Sequence, residues 1–309
     1  MIVSYTDLFN NLALLFGGAP FNFVAKVYRL LKIIHFGIVF EYPTFACMKK
    51  LVIVGCGRLA EIVAEAIVNG LLQEYDLVGV YSRTYSKAKS IADKMRQHGK
   101  SCTVCATLKD LLALKPDYLV ESASPDAMKE LALPALENGT SVITLSIGAL
   151  ADAAFYQNII KTAKANDTRV YIVSGATGGF DVLKTATLMG NASATFFNEK
   201  GPNALKGTTV YSDTLQTEQS IVFSGNAAEA ISLFPTKVNV AVAASLASVG
   251  PENMKASIQS TPGFTGDTQR VEIRNDQVRA VIDVYSSTSD IAGWSVVSTL
   301  INIVSPIVF

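Results

Sequence analysis

Residues 51–60, LVIVGCGRLA, carry four apolar residues into a glycine-spaced turn and straight on into a helix start, a run that few folds accommodate. Leu51, Val52, Ile53 and Val54 are apolar and mostly β-branched, as a strand covered on both faces requires. Gly55 permits a sharp turn, and the missing side chain at Gly57 lets backbone N–H groups approach a pyrophosphate. Arg58 and Leu59, between the turn and the helix expected over 61–69, are expected among the cofactor contacts, and Ala60 stands where a third glycine is common. A methyl there still allows close helix-to-strand packing. Phosphates would lie at the positive end of that helix. The motif predicts a dinucleotide site, although alone it also fits a plain strand-to-helix turn.

The next strand sharpens this expectation. DLVGVY, residues 76–81, ends in Ser82, Arg83 and Thr84, where an NAD-selective site offers a carboxylate to the ribose hydroxyls. With Arg83 in place of a carboxylate, and Ser82 and Thr84 as hydrogen-bond donors, the segment favours NADP over NAD. The other reading of Arg83 is a solvated loop arginine.

With 309 residues, half of them apolar, the chain suffices for about two domains with sizeable cores. Its formal charge is zero and it has no long basic run, so no nucleic-acid partner is expected. Cys47, Cys56, Cys102 and Cys105 lack the second pair or nearby histidine of a zinc site, so no metal is expected. Reduced structural thiols fit a cytoplasmic protein.

Residues 1–47 form an apolar leader outside this pattern, expected not to belong to the fold, since Met48 followed by two lysines and the strand reads as a natural start. Within it, residues 24–36 set Lys26, Arg29 and Lys32 against Val27, Leu30, Leu31 and Ile34, as in an amphipathic helix that makes weak contact with a membrane surface or a partner. A true span is the weakest reading, because residues 8–25 contain three Asn, two Gly and a Pro.

From Met48 onward strands and helices alternate. Strands are expected at 103–106, 118–121, 141–145 and 169–173, with helices at 108–114, 125–137 and 151–165. Small polar runs follow the strand ends: Ser122-Ala123-Ser124, Ser146-Ile147-Gly148-Ala149 and residues 174–179, SGATGG. Three such loops on one sheet edge point to a ligand site. Beyond Asp181 the pattern turns β-rich, with strands expected at 204–212, 219–224, 256–261, 269–274 and 277–285 and helices at 227–233, 238–248 and 290–304. The fold class expected is α/β: a doubly wound parallel Rossmann sheet over 48–175, then a smaller α+β substrate and dimerisation domain over 176–289. A C-terminal helix, within 290–309, is expected to pack back on the first domain.

GCGRLAEIVAEAI, LSIGALAD (145–152), YIVSGATGGFD (171–181) and FSGNAAEAISLFPTKVNVAVAASLAS (223–248) are similar to the corresponding stretches of the L-aspartate dehydrogenases, and the resemblance runs from Met48 almost to the C-terminus. It implies a Rossmann domain plus an α+β domain in a homodimer, interconverting aspartate and iminoaspartate with NAD or NADP, in some organisms for NAD biosynthesis. It implies cofactor contacts at Gly55, Gly57, Ala176 and Asn239, with the hydride donor beside residues 176–179.

One position departs from the family. The resemblance implies a catalytic histidine about thirty residues after the Asn of KVNVA, and Gln269 of GDTQRVEI stands there. His35 and His98 are the chain's two histidines; one lies in the leader and the other in a polar helix end. Gln269 would orient a water without taking its proton, and losing a general base costs about 10²–10⁴ in rate. Asp181 and Lys184, one turn apart at a helix start, are the other catalytic candidates expected in the cleft, with Asp267 and Arg270 as charges flanking Gln269. The expected substrate is a small carboxylated amine or imine, with aspartate first. A reductase for another imine or carbonyl, and a non-catalytic NADPH-binding paralogue, are the alternatives.

Overall fold

Strand β1 (Lys49–Val54) runs through the middle of a parallel sheet, and Leu51, Val52 and Ile53 have no exposed surface. The computed structural model describes residues 48–235 and 238–308. The expectations for the leader, including the 24–36 helix, His35 and Cys47, lie outside those residues. After β1 the chain alternates through α1 (Arg58–Val68), β2 (Tyr75–Tyr81), α2 (Tyr85–Gln97), β3 (Thr103–Val104), α3 (Leu108–Ala113), β4 (Tyr118–Glu121), α4 (Pro125–Glu137) and β5 (Ser141–Thr144). A 3-10 turn (Ile147–Ala151), α5 (Ala153–Ala165) and β6 (Val170–Ile172) complete this half. Strand order is β3-β2-β1-β4-β5-β6, with every neighbouring pair parallel. Because the chain leaves β1 toward β2 on one side and returns to β4 on the other, a crevice opens at the carboxyl ends of β1 and β4. This is the doubly wound sheet expected from the alternating pattern.

Local chemistry starts the helices where the crevice needs them. Ser124 caps α4 by accepting from Ala127 N at 3.2 Å, with Pro125 preset for the first helical position. Asp152 caps α5 through Ala154 N and Phe155 N, both at 3.1 Å.

The second half comprises α6 (Phe180–Leu188), β7 (Ser193–Lys200), β8 (Ser220–Asn226), α7 (Ala227–Leu233), α8 (Asn239–Leu246), β9 (Lys255–Ser260), β10 (Asp267–Arg274), β11 (Arg279–Ser286) and α9 (Asp290–Val304). Its sheet has the order β11-β10-β7-β9-β8, with β7 parallel to β9 and antiparallel to β10. The strand expected at 204–212 is not formed. A 3-10 turn (Pro202–Leu205) and further turns occupy it, since Pro202 donates no hydrogen bond and Gly207 adopts a left-handed φ of 80°. The central strand β7 instead precedes that segment.

Helix α9 packs on α1 at Gly293, where a side chain would lie 2.7 Å from Ile62 Cδ1. Tyr75 Oη donates to Leu300 O at 2.7 Å beneath the same helix. Among the described residues no helix is long and apolar enough to cross a membrane. Cys56, Cys102 and Cys105 are free and buried. Burial pushes the Cys56 and Cys102 thiols up to about 12, so neither supplies a thiolate at neutral pH.

Candidate active site

Two hollows meet along the loop that follows β4. The first, of about 320 Å³, is lined by Gly55, Cys56 and Gly57 of the glycine turn, by Ser82, Arg83, Thr84 and Lys87 after β2, and by Ser122, Ala123 and Ser124. The second, of about 450 Å³, shares Ser122, Ala123 and Ser124 and continues past Leu59, Ser146, Ala176 and Asn239 to Lys200, Asp267 and Gln269 of the second sheet. The two hollows share the Ser122–Ser124 wall, and between them they reach from the glycine turn to the second sheet.

The glycine turn is built by close backbone approach. Gly55 holds φ at 87°, and a Cβ there would fall 2.7 Å from the backbone of Ser122 and Ala123. Ser122 Oγ donates to Gly55 O at 2.6 Å, fastening the two loops together. A Cβ on Gly57 would meet nothing within 4 Å, so this position faces open space at the N-terminus of the eleven-residue α1. Free backbone N–H groups, a positive helix end and room beside them are what a dinucleotide pyrophosphate requires.

Behind both loops lies Glu121, fully buried at the end of β4. One of its carboxylate oxygens accepts from Ala123 N at 2.8 Å, Ser124 N at 3.1 Å and Ser146 Oγ at 2.8 Å. The other accepts from Thr144 Oγ1 at 2.7 Å and Ser146 N at 3.0 Å. Two loops from different strands are thus set against each other by a single side chain.

On the second sheet, Lys200 is 5 % exposed and its Nζ lies 2.8 and 2.9 Å from the two Asp267 oxygens. Asp267 also accepts from Asn198 Nδ2 at 2.6 Å and Gln269 Nε2 at 2.7 Å. Asn198, Lys200, Asp267 and Gln269 share one face because β7 and β10 pair Asn198 with Gln269 and Lys200 with Asp267.

Most expected site residues line this cleft: Gly55, Gly57, Leu59, Ser82, Arg83, Thr84, Ser122, Ala123, Ser146, Ala176, Asn239 and Gln269. Others do not. Arg58 turns to Asp290, with Nη2 2.7 Å from Oδ2, so its guanidinium is already paired. Gly148 is a packing glycine: its N–H donates to Asn239 Oδ1 at 2.8 Å, and a Cβ would strike Ile231 at 2.5 Å. Asp181 and Lys184 are exposed on α6 and line neither hollow, because α6 buries its Leu183 and Ala186 face instead. Arg270 pairs with Asp283 of the neighbouring strand at 3.2 Å and lies outside the cleft, since alternation along β10 sends it to the face opposite Gln269. Lys200, Asn198 and Glu121 were not anticipated. The available signal was a lysine and an asparagine on the inward phase of FFNEK, visible only once β7 is known to be a strand.

A doubly wound sheet with an open glycine turn at a helix N-terminus, beside a polar pocket on a second sheet, is the architecture of a nicotinamide-dinucleotide-dependent dehydrogenase. Comparison with known proteins makes the class specific. Residues 181–303 match the family described as "Aspartate dehydrogenase, C-terminal", and residues 55–173 match "Homoserine dehydrogenase, NAD binding domain". An L-aspartate dehydrogenase of Methanosarcina mazei is 30% identical over 272 residues, 84% of this chain and 98% of that protein. One from Methanococcus maripaludis is 32% identical over 212 residues, 67% of this chain and 77% of that protein. The crystal structure of aspartate dehydrogenase from Thermotoga maritima superposes with a TM-score of 0.66 at 25% identity, covering 84% of this chain and 99% of that one. The chain belongs to the L-aspartate dehydrogenase family.

Proposed function

We propose that the protein is an NADP-preferring L-aspartate dehydrogenase, interconverting aspartate with iminoaspartate and, by hydrolysis, oxaloacetate and ammonia. The observation that carries this reading is the pair of hollows sharing Ser122, Ala123 and Ser124, one at the glycine turn and the other reaching Lys200, Asp267 and Gln269. Gly55, Gly57 and the start of α1 would hold the pyrophosphate, and Ser122, Ala123, Ser146, Ala176 and Asn239 the nicotinamide half. A bound nicotinamide supplies hydride transfer to or from the substrate carbon. The chain's own contribution is placement, exclusion of water and control of the substrate nitrogen.

Gln269, in the place that the family resemblance gives to histidine, is a neutral amide. It accepts and donates hydrogen bonds but takes no proton. The arrangement therefore suits a preformed iminium best, because that carbon is already electrophilic. In the oxidative direction the amine proton leaves to water.

NADP preference rests on the end of β2. Arg83 and Lys87 line the first hollow there, and the carboxylates that share it, Asp126 and Glu130, come from α4. Arg83→Ala is expected to weaken NADPH about 10- to 100-fold while leaving NADH little changed, as loss of a charge-assisted phosphate contact predicts. Titration of protein fluorescence with each cofactor measures this. Equal losses for both cofactors would remove Arg83 from the 2′-phosphate site.

The same reading makes the enzyme a cytoplasmic homodimer. Free buried thiols support the compartment. Ile221, Val281 and Tyr285, exposed on strands of the second sheet, support the association. NADPH oxidation with oxaloacetate plus ammonia, run beside a panel of other 2-oxo acids, tests the function. The expected result is turnover that requires ammonia and is fastest with oxaloacetate. Fastest turnover with another acid would reassign the substrate, and cofactor binding without turnover would leave a non-catalytic paralogue.

A further inference from the structure

Among the described residues, Lys200 and Asp267 are the two charged residues lining the larger hollow, and they are paired. An ammonium has three N–H donors. Two meet Asp267 at 2.8 and 2.9 Å, which leaves one for a guest. Asp267, in turn, accepts from Asn198, Lys200 and Gln269 and is saturated as an acceptor.

This saturation fixes the Gln269 amide. A carboxylate only accepts, so the amide NH2 must face Asp267 and Oε1 must point away from it. Gln269 Oε1 is buried with no protein partner, and so are Asn198 Oδ1 and Ser260 Oγ. Ser260 pairs in register with Lys200 across β7 and β9, and Asn198 with Gln269 across β7 and β10. Three unpartnered polar atoms thus lie on the sheet face that carries this buried cation, where folded proteins normally satisfy such groups.

We propose that Lys200 anchors the substrate's carboxylate, that Asp267 holds Lys200 in position, and that Gln269 Oε1 accepts a hydrogen bond from the substrate's nitrogen. The inference rests on the reading of this hollow as the substrate site and adds to it which side chain meets the substrate's carboxylate and which its nitrogen. Asp267 is a positioning residue, because its oxygens are spent on the chain's own side chains.

The test is calorimetric binding of malonate, a non-reacting dicarboxylate, to the NADPH-saturated protein, with malonamide as the uncharged control. Wild type should bind malonate and not malonamide. Lys200→Met should weaken malonate about 100-fold, with NADPH affinity unchanged, and Lys200→Arg should recover part of the loss. Because Lys200→Met strands the Asp267 charge, the charge-free pair Lys200→Met with Asp267→Asn is measured beside it. In steady state the KM for oxaloacetate should rise by a similar factor while kcat changes only a few-fold. Unchanged malonate affinity in a folded variant, or a loss confined to kcat, would overturn the assignment. Turnover of oxaloacetate by a wild type whose Lys200 variants bind malonate normally removes the anchor and leaves the aspartate dehydrogenase reading intact. Malonate binding through Lys200 without turnover of any oxo acid does the reverse.

Discussion

Glu121→Ala is expected to destabilise the protein by roughly 5 kcal/mol and to abolish cofactor binding in whatever remains folded. The carboxylate is fully buried and accepts five hydrogen bonds, from Ala123 N, Ser124 N, Thr144 Oγ1, Ser146 N and Ser146 Oγ. Truncation strands these donors in a place water does not readily reach, and each buried orphan costs about 1–3 kcal/mol. Partial relaxation of the loops keeps the sum below the full product. Native domains are stable by only about 5–15 kcal/mol, so the variant should melt far below wild type. Glu121→Gln preserves the shape but turns an amide NH2 toward at least one of the same donors, and should fall between the two. Urea unfolding followed by circular dichroism measures the stability, and NADPH titration of the folded fraction measures the binding. A Glu121→Ala protein with wild-type stability would mean that the loops do not depend on this side chain.

The second large effect is at the glycine turn, where two neighbouring substitutions should separate folding from binding. Gly55→Ala places a Cβ 2.7 Å from the backbone of Ser122 and Ala123, at a φ of 87°. The backbone conformation alone costs about 1–2 kcal/mol for a residue with a Cβ, and displacing packed backbone adds about 1–3 kcal/mol. The loop that lines both hollows must shift, so NADPH affinity should fall more than about 100-fold along with stability. Gly57→Ala meets no protein atom within 4 Å, and its methyl projects into the open space where the proposed pyrophosphate would lie. That variant should fold with wild-type stability and still lose most of its cofactor affinity. Equal NADPH binding by wild type and Gly57→Ala would place the pyrophosphate elsewhere.

Much of this architecture was legible because the parallel sheet writes itself as apolar runs. Leu51 to Val54 of β1 are buried on both faces, and the helix expected at 125–137 coincides with α4 because Ser124 and Pro125 start it by local chemistry. Strand β7 escaped because its inward positions are Ala194, Phe196, Asn198 and Lys200, and the two polar residues break the apolar period. Lys200 lines the pocket and Asn198 donates to Asp267 beside it, so the departure from pattern and the site coincide. The pairing of Lys200 with Asp267, 67 residues apart, depends on the register between β7 and β10, which no local spacing encodes. Asp181 and Lys184 failed for the opposite reason. Their one-turn spacing was correct, but the face that α6 buries is set by Leu183 and Ala186. Gln269 was reached through the family resemblance and Asp267 as a charge flanking it, whereas the bonds that tie Asp267 to Lys200 and Asn198 exist only in three dimensions.

Isotope transfer shows whether this cleft moves a hydride to the imine carbon that becomes Cα of an amino acid, although an amide stands at the position given to histidine. Wild-type protein is incubated with oxaloacetate, ammonia and NADPH carrying deuterium on each side of C4 in turn, and the products are resolved by mass spectrometry and NMR. Deuterium is expected at Cα of L-aspartate from one of the two labelled cofactors only. Deuterium at C2 of malate would show carbonyl rather than imine reduction, and no transfer from a tightly bound cofactor would contradict the assignment as a dehydrogenase.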